Sequence, residues 1–289
     1  MEYYIGLISG TSMDAVDAVL VDYSTMPGKI IERHSEPIHA DLKNKIFQLI
    51  SSTSSALPLL GKLDVEIGKL FAQTVNKLIL KSKLKKTDIV AIGSHGQTVW
   101  HEPWGENPFT LQIGDPNIIA EETGITTVAD FRRRDIAVGG QGAPLVPVFH
   151  ETLFRTDKED RVVLNLGGIA NISVLPMTLE SPIIGFDTGP ANILCDSWIQ
   201  RHSNKPYDEN GCWALSGSVS EKLLTEMLAD NYFNRQYPKS TGREYFNIAW
   251  VDQFLQDFDG YLKPEDVQAT LVELTALTVQ KGKALNYLV

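Results

Sequence analysis

Cysteine is scarce in this chain of 289 residues. Only Cys195 and Cys212 are present, with no metal-ligand spacing and too few thiols for a disulfide framework, which fits a reducing compartment and points to the cytoplasm. Basic charge is also short: 26 Lys and Arg face 36 Asp and Glu, a formal net charge of -10 at pH 7. Such a balance repels a polyphosphate backbone, so no nucleic acid partner is expected. The basic cluster Lys81 to Lys86 follows an amphipathic stretch, where cations suit the carbonyl end of a helix. No apolar run approaches membrane-spanning length, and Met1 to Leu7 has no basic region ahead of its apolar residues, so neither membrane nor export is expected. A Walker-type phosphate loop is missing, as are a serine nucleophile elbow and a zinc spacing around His101 and Glu102. What is there, 43% hydrophobic and 21% charged residues, suffices for one large core or two moderate ones.

Tyr3 to Ser9 is apolar, Gly10-Thr11-Ser12 breaks it, and Ala15 to Tyr23 is apolar again, which predicts a β-hairpin with a small polar tip. The pattern returns at Arg161 to Leu166, Gly167-Gly168 and Ile169 to Leu175, so the chain contains two related halves. Between them, Ile67, Leu70, Phe71, Val75, Leu78 and Ile79 recur at helical spacing, and Asp88 to Gly93 reads as a short buried strand. This alternation predicts an α/β fold. The Gly- and Pro-rich stretch Gly139 to Pro147 is either a crossing between halves or a binding loop, and we place the boundary there, giving 1–138 and 139–289. Downstream, Pro190 is expected to start a helix to about Gln200, Ser218 and Glu221 to form a capping box, and Pro264 to open a longer helix burying Val267, Leu271, Leu274 and Leu277. Tyr287-Leu288-Val289 reads as the beginning of a buried strand.

Several segments can carry chemistry, each beside a plainer explanation. Gly10 to Asp14 offers N–H groups, hydroxyls and a carboxylate suited to phosphate and hydrated Mg²⁺, but its residues are also good turn formers. Ser94-His95-Gly96-Gln97-Thr98 reads as a substrate-facing loop at the mouth of a sheet, or as a loop in which His95 only hydrogen-bonds locally. Asp130 to Asp135 mixes acids and arginines, giving an anion clamp or a surface ion-pair network. Asp187, within Gly185 to Asn192, either caps a helix or deprotonates water or a sugar hydroxyl beside a bound phosphate.

Seven segments in order, GTSMDAVD (Gly10 to Asp17), GSHGQTV (Gly93 to Val99), QIGDPN (Gln112 to Asn117), ADFRR (Ala129 to Arg133), GGQGAPLVP (Gly139 to Pro147), NLGGIAN (Asn165 to Asn171) and GFDTGPAN (Gly185 to Asn192), span most of the chain and resemble the anhydro-N-acetylmuramic acid kinases. The resemblance implies two ribonuclease-H-like domains of the actin-like ATPase and sugar kinase superfamily, the second domain incomplete because the family continues past Val289 into a glycine-rich adenosine-binding turn and further helices. It implies ATP and Mg²⁺, an amino sugar substrate and a homodimer. Carried onto matching positions, the ATP phosphates fall to Gly10, Thr11, Ser12, Met13, Asp14, Ala15, Val16 and Asp17, with Asn165, Gly167 and Gly168 as the second phosphate turn. The sugar falls to Gln97, Thr98, Asp130 and Arg132, and the base to Asp187. Ala15 departs from the family's usual glycine. The reaction implied opens the 1,6-anhydro bond with water while phosphorylating the 6-oxygen. Two rivals remain at this stage: a remnant that binds sugar or a partner chain, and another phosphotransferase or polyphosphate hydrolase of the superfamily.

Overall fold

Period-two burial explains where the first sheet begins. In β1 (Tyr3–Ser9), Tyr3, Ile5, Leu7 and Ser9 are buried while the residues between them are less so. A computed structural model describes residues 1–10, 13–51, 56–256 and 258–284. β2 (Ala15–Asp22) returns antiparallel with Val16 opposite Ser9, and β3 (Lys29–Pro37) extends the meander. After α1 (Ala40–Ile50), the helical spacing read from sequence becomes α2 (Leu57–Ser82), which buries Ile67, Phe71, Val75, Leu78 and Ile79 and ends at Lys83 in the left-handed conformation, φ 61°.

The next strand, β4 (Ile89–Glu102), is far longer than the expected short one. It runs parallel to β1 and then antiparallel to β5 (Phe109–Ile113), so Ser94 to Thr98 lies within a strand rather than in a loop. The extension persists because backbone partners are supplied on both sides, Ser9 and Ile113 both pairing with Gln97. Between the pairs Leu7–Ser94 and Ser9–Gln97 the register shifts, and Gly96 absorbs the extra residue at φ 75°. α3 (Pro116–Thr123), β6 (Thr127–Ala129) and α4 (Phe131–Ala137) complete the unit, whose sheet order is β3-β2-β1-β4-β5 with β6 also on β4.

The chain divides into two compact units at Gly142/Ala143, past the expected break at 138. The glycines in between stay with α4: Gly140 N–H donates to the Asp135 carbonyl at 2.8 Å and Gly142 N–H to the Asp135 carboxylate at 2.7 Å.

The second unit opens with α5 (Pro147–Phe154), then β7 (Arg161–Leu166) and β8 (Ile169–Leu175), the second hairpin within its expected limits. β9 (Ile184–Pro190) pairs with β8, making a three-stranded antiparallel sheet. Pro190 therefore ends a strand, and α6 (Asn192–Ser203) starts beyond it, because the Pro190 segment pairs with Ile169. α7 (Glu221–Leu228) is capped by Ser220 rather than by Ser218, whose N–H is taken by Asp266 at 2.8 Å. α8 (Ile248–Gln256) packs Trp250 against Phe246, which stands edge-on to Tyr232 with centroids 5.3 Å apart. α9 (Pro264–Ala284) begins at Pro264 as expected, with Glu265 and Asp266 at its positive end and Val267, Leu271 and Leu274 buried. Tyr287-Leu288-Val289 lies outside the described residues. Among the described residues no helix is long and apolar enough to cross a membrane.

Candidate active site

The hairpin tip of the first unit is anchored from beneath. Met13, left-handed at φ 55°, donates its N–H to the Gly10 carbonyl at 3.1 Å while its side chain is buried. Asp14 stays mostly exposed beside Lys43, 2.8 Å away, and Ala15, Val16 and Asp17 enter β2, with Val16 buried and Asp17 exposed. Thr11 and Ser12 lie outside the described residues. Ser9 Oγ donates to Gln97 Oε1 at 2.6 Å, and Gln97 Nε2 donates to the Thr98 carbonyl at 3.1 Å and the Gly10 carbonyl at 3.5 Å. Gln97, which the sequence assigns to the sugar, is 1% exposed and ties the hairpin tip to β4.

Beside this lies a cavity of about 550 Å³ in the first unit, formed where β4, β5, the start of α2 and the start of α4 converge. Ser94, Gln112, Asp115, Asp130 and Arg133 line it, and the buried Ser94 hydroxyl has no hydrogen-bond partner among the described residues. Asp130 opens α4 in the left-handed conformation, φ 62°, and accepts from Arg133 Nε at 2.7 Å. Thr98, half-buried, accepts from Gln112 at 3.3 Å. Arg132 donates through Nε to His95 Nε2 at 2.8 Å and through its terminal nitrogen to the Gly142 carbonyl at 2.5 Å. Thus Asp130 borders the cavity, while Gln97 and Arg132 are engaged by the protein around it. Burial, with the Arg132 guanidinium beside it, pushes the His95 imidazole down to about 4. His101 is pushed down to about 4 by the same two causes.

In the second unit Asp187 sits in β9 opposite Asn171 and is 6% exposed. It does not cap α6, whose N-cap is Ala191. Its Oδ2 accepts from Ser240 Oγ at 3.0 Å and from the Thr241 N–H at 2.9 Å. The Gly167-Gly168 turn also reaches the same helix: the N–H groups of Ala191, Asn192 and Ile193 donate to the carbonyls of Gly167 and Gly168 at 2.9–3.1 Å. Those N–H groups, expected to be available to an anion, are occupied by the turn itself. Asn165 is exposed on β7 opposite Asn171.

Asp187 closes a ring of hydrogen bonds with Lys239 and Tyr232. Its N–H donates to the Lys239 carbonyl at 2.9 Å, Lys239 Nζ donates to the Tyr232 carbonyl at 3.0 Å, and the Tyr232 hydroxyl donates to the Asp187 carbonyl at 2.7 Å. Lys239 is 2% exposed, with its ammonium 4.5 Å from the Tyr232 ring centre and 4.9 Å from that of Tyr237. Burial, with Arg235 and Lys281 nearby, brings it down to about 8. Sequence reasoning missed this segment and the contact of His95 with Arg132. The signal available was Ser240-Thr241-Gly242, three small residues shortly after Tyr237-Pro238.

A family model for anhydro-N-acetylmuramic acid kinase matches residues 2–286. The chain is 56% identical over 280 residues to an anhydro-N-acetylmuramic acid kinase of Coxiella burnetii, covering 96% of this chain and 74% of that protein. With the Shewanella sediminis enzyme of the same name it shares 52% over 279 residues, 96% and 75% of the two lengths. Among solved structures, a PilM–PilN type IV pilus biogenesis complex aligns at a TM-score of 0.42 and 12% identity over 96% of this chain and 98% of that one. A ROK hexokinase from Thermus thermophilus aligns at 0.35 and 11% over 96% and 99%, and likenesses so slight carry no argument. With a matching family model across nearly its whole length and more than half of its residues shared with named relatives, the chain belongs to the anhydro-N-acetylmuramic acid kinase family.

Proposed function

We infer that the chain is an ATP-dependent kinase that opens 1,6-anhydro-N-acetylmuramic acid with water and phosphorylates its 6-oxygen, giving N-acetylmuramic acid 6-phosphate. Membership of the family supports the activity, and the observation that ties it to chemistry is Asp187, a buried carboxylate with one oxygen held by two donors. Such a group is fixed in direction, and its donors favour the ionised form that a base must start from.

In this reading Asp187 accepts a proton from water as the water oxygen bonds to the anomeric carbon. The bond from that carbon to the 6-oxygen breaks, leaving its electron pair on the 6-oxygen. That oxygen then bonds to the γ-phosphorus as the bond to ADP breaks, so protons and electron pairs balance. We assign the phosphates to Gly10 through Asp17 and to the turn Asn165, Gly167 and Gly168, and the sugar to Thr98, Asp130 and Arg132. We assign Gln97 to the sugar side as well, and its amide also braces the Gly10 carbonyl of the tip assigned to phosphate.

Among the described residues no group of three or more His, Cys, Asp or Glu could hold a metal ion. A single exposed carboxylate at the tip, Asp14, paired with Lys43, suits a hydrated Mg²⁺ that would arrive with the nucleotide, and Asp14 would be the residue to hold it through water. The ion would neutralise charge on the transferred group. We assign the two units to the ribonuclease-H-like domains of the actin-like ATPases and sugar kinases, and the enzyme to the cytoplasm as a homodimer, a mass that light scattering reads directly. For the activity, incubation with ATP, Mg²⁺ and the anhydro sugar should yield a ring-opened 6-phosphate by mass spectrometry, and Asp187→Asn should abolish it. Full turnover by Asp187→Asn would remove Asp187 from the role of base.

A further inference from the structure

The partners of Asp187 come from one place in the chain. Ser240 Oγ and the Thr241 N–H both donate to Oδ2, and the Lys239 carbonyl receives the Asp187 N–H. Three successive residues thereby grip both the backbone and one carboxylate oxygen of Asp187. Ser240 is itself 2% exposed, so its hydroxyl competes with little bulk water for that oxygen. The grip has its own anchorage, since Lys239 Nζ is tied to the carbonyls of Tyr232 and Phe233.

We propose that Ser240 is a positioning residue for Asp187. This rests on Asp187 being the base. With Oδ2 held by two donors, rotation of the carboxylate about its χ2 angle is restrained, so the plane of the carboxylate is set before substrate arrives. The hydroxyl also favours the ionised carboxylate, because it donates a hydrogen bond to the charged form. Thr241 supplies the second bond from its backbone, which no side-chain substitution removes, so Ser240 is the tunable half of the pair.

Charged and titratable groups around this pair include Lys239 behind it, Tyr232 at the Asp187 carbonyl, Tyr237 beside Lys239, Arg235 over the Tyr232 ring at 5.6 Å, and Lys281 acting on Lys239 from α9. Lys239 changes charge near 8, and Tyr232 and Tyr237 are raised above their usual phenol range, so none of these three changes charge at the acid end of a pH profile.

The experiment compares the protein with its Ser240→Ala variant. The acid limb of the kcat profile should move to higher pH, with kcat falling roughly tenfold or more at the acid end, as expected for loss of one hydrogen bond to a charged group. KM for ATP should stay within about twofold, since the phosphate turns are untouched. Carboxyl carbon-13 NMR follows the same change without turnover: the Asp187 titration should move upward in Ser240→Ala. Ser240→Cys, close in shape and with only a weak donor, should show the same displacement and serves if alanine fails to fold. An unmoved titration and acid limb, in a protein that Asp187→Asn inactivates, would overturn the proposal. An Asp187→Asn variant that still turns over would instead overturn the assignment of the base.

Discussion

Arg132 fixes His95 in its neutral form with the proton on one nitrogen. A guanidinium nitrogen can only donate, so the 2.8 Å contact makes His95 Nε2 the acceptor, and the ring proton must sit on Nδ1, 3.0 Å from the Gly96 carbonyl. A protonated His95 would face Arg132 with a second donor and a second positive charge.

Acid should therefore weaken the first unit in a defined window. His95 and His101 are held at about 4 in the fold against an ordinary 6.5, so the unfolded chain binds more protons between those values. Their contribution is complete above about 6.5 and is lost as pH falls through about 4. His95→Gln keeps an acceptor for Arg132 but cannot titrate, so its stability should fall less between pH 7 and pH 5. Urea midpoints at both values read the difference, and equal losses in the two proteins would refute the coupling.

Gln97→Leu keeps approximate volume but deprives Ser9 Oγ of its acceptor and Gly10 of a donor. A cost of roughly 1–3 kcal/mol is expected from the stranded buried group. KM for ATP should rise with it, because the tip of the β1–β2 hairpin loses its brace. A destabilised variant with unchanged KM for ATP would show that the tip holds its shape without Gln97.

Gly96 cannot be enlarged cheaply. A Cβ there would stand 2.7 Å from the Ile113 carbonyl oxygen on a backbone with φ 75°. Gly96→Ala should cost about 1–3 kcal/mol in thermal unfolding. Gly105, at φ 99° with nothing within 4 Å of the added carbon, is the control for conformation without contact, and its alanine variant should lose less.

Lys239→Met should destabilise the second unit by roughly 1–3 kcal/mol, because the Tyr232 and Phe233 carbonyls lose their shared donor. The intact protein should also gain stability from Lys239 as pH rises from about 8 toward 10.5, where only the unfolded chain still carries that proton. The methionine variant should lack this increment in chemical unfolding at pH 8 and pH 10.

The parts legible in sequence were those whose signals are local. Both hairpins, the buried stripe of α2 and the proline start of α9 follow from periodicities within a few residues. The length of β4 was not legible, because its continuation past Gly93 depends on Ser9 and Ile113, each distant in the chain. Pro190 misled for a related reason: proline suits a helix start, but pairing with Ile169 decided the matter. At the candidate site the segment of Asp187 left cap and base both open and only the family resemblance singled it out as base, whereas its partners Ser240 and Thr241 lie more than fifty residues on and join it only through folding.

β4 changes neighbours part-way along, and Gln97 stands where β1 and β5 are both paired with it. A strand shared in this way works like a splint across two pieces. The β4–β5 extension and the β1–β2 tip cannot drift separately, since any slide of one along the strand drags the amide that holds the Gly10 carbonyl. Register in a distant hairpin thus becomes a setting for the loop assigned to phosphate.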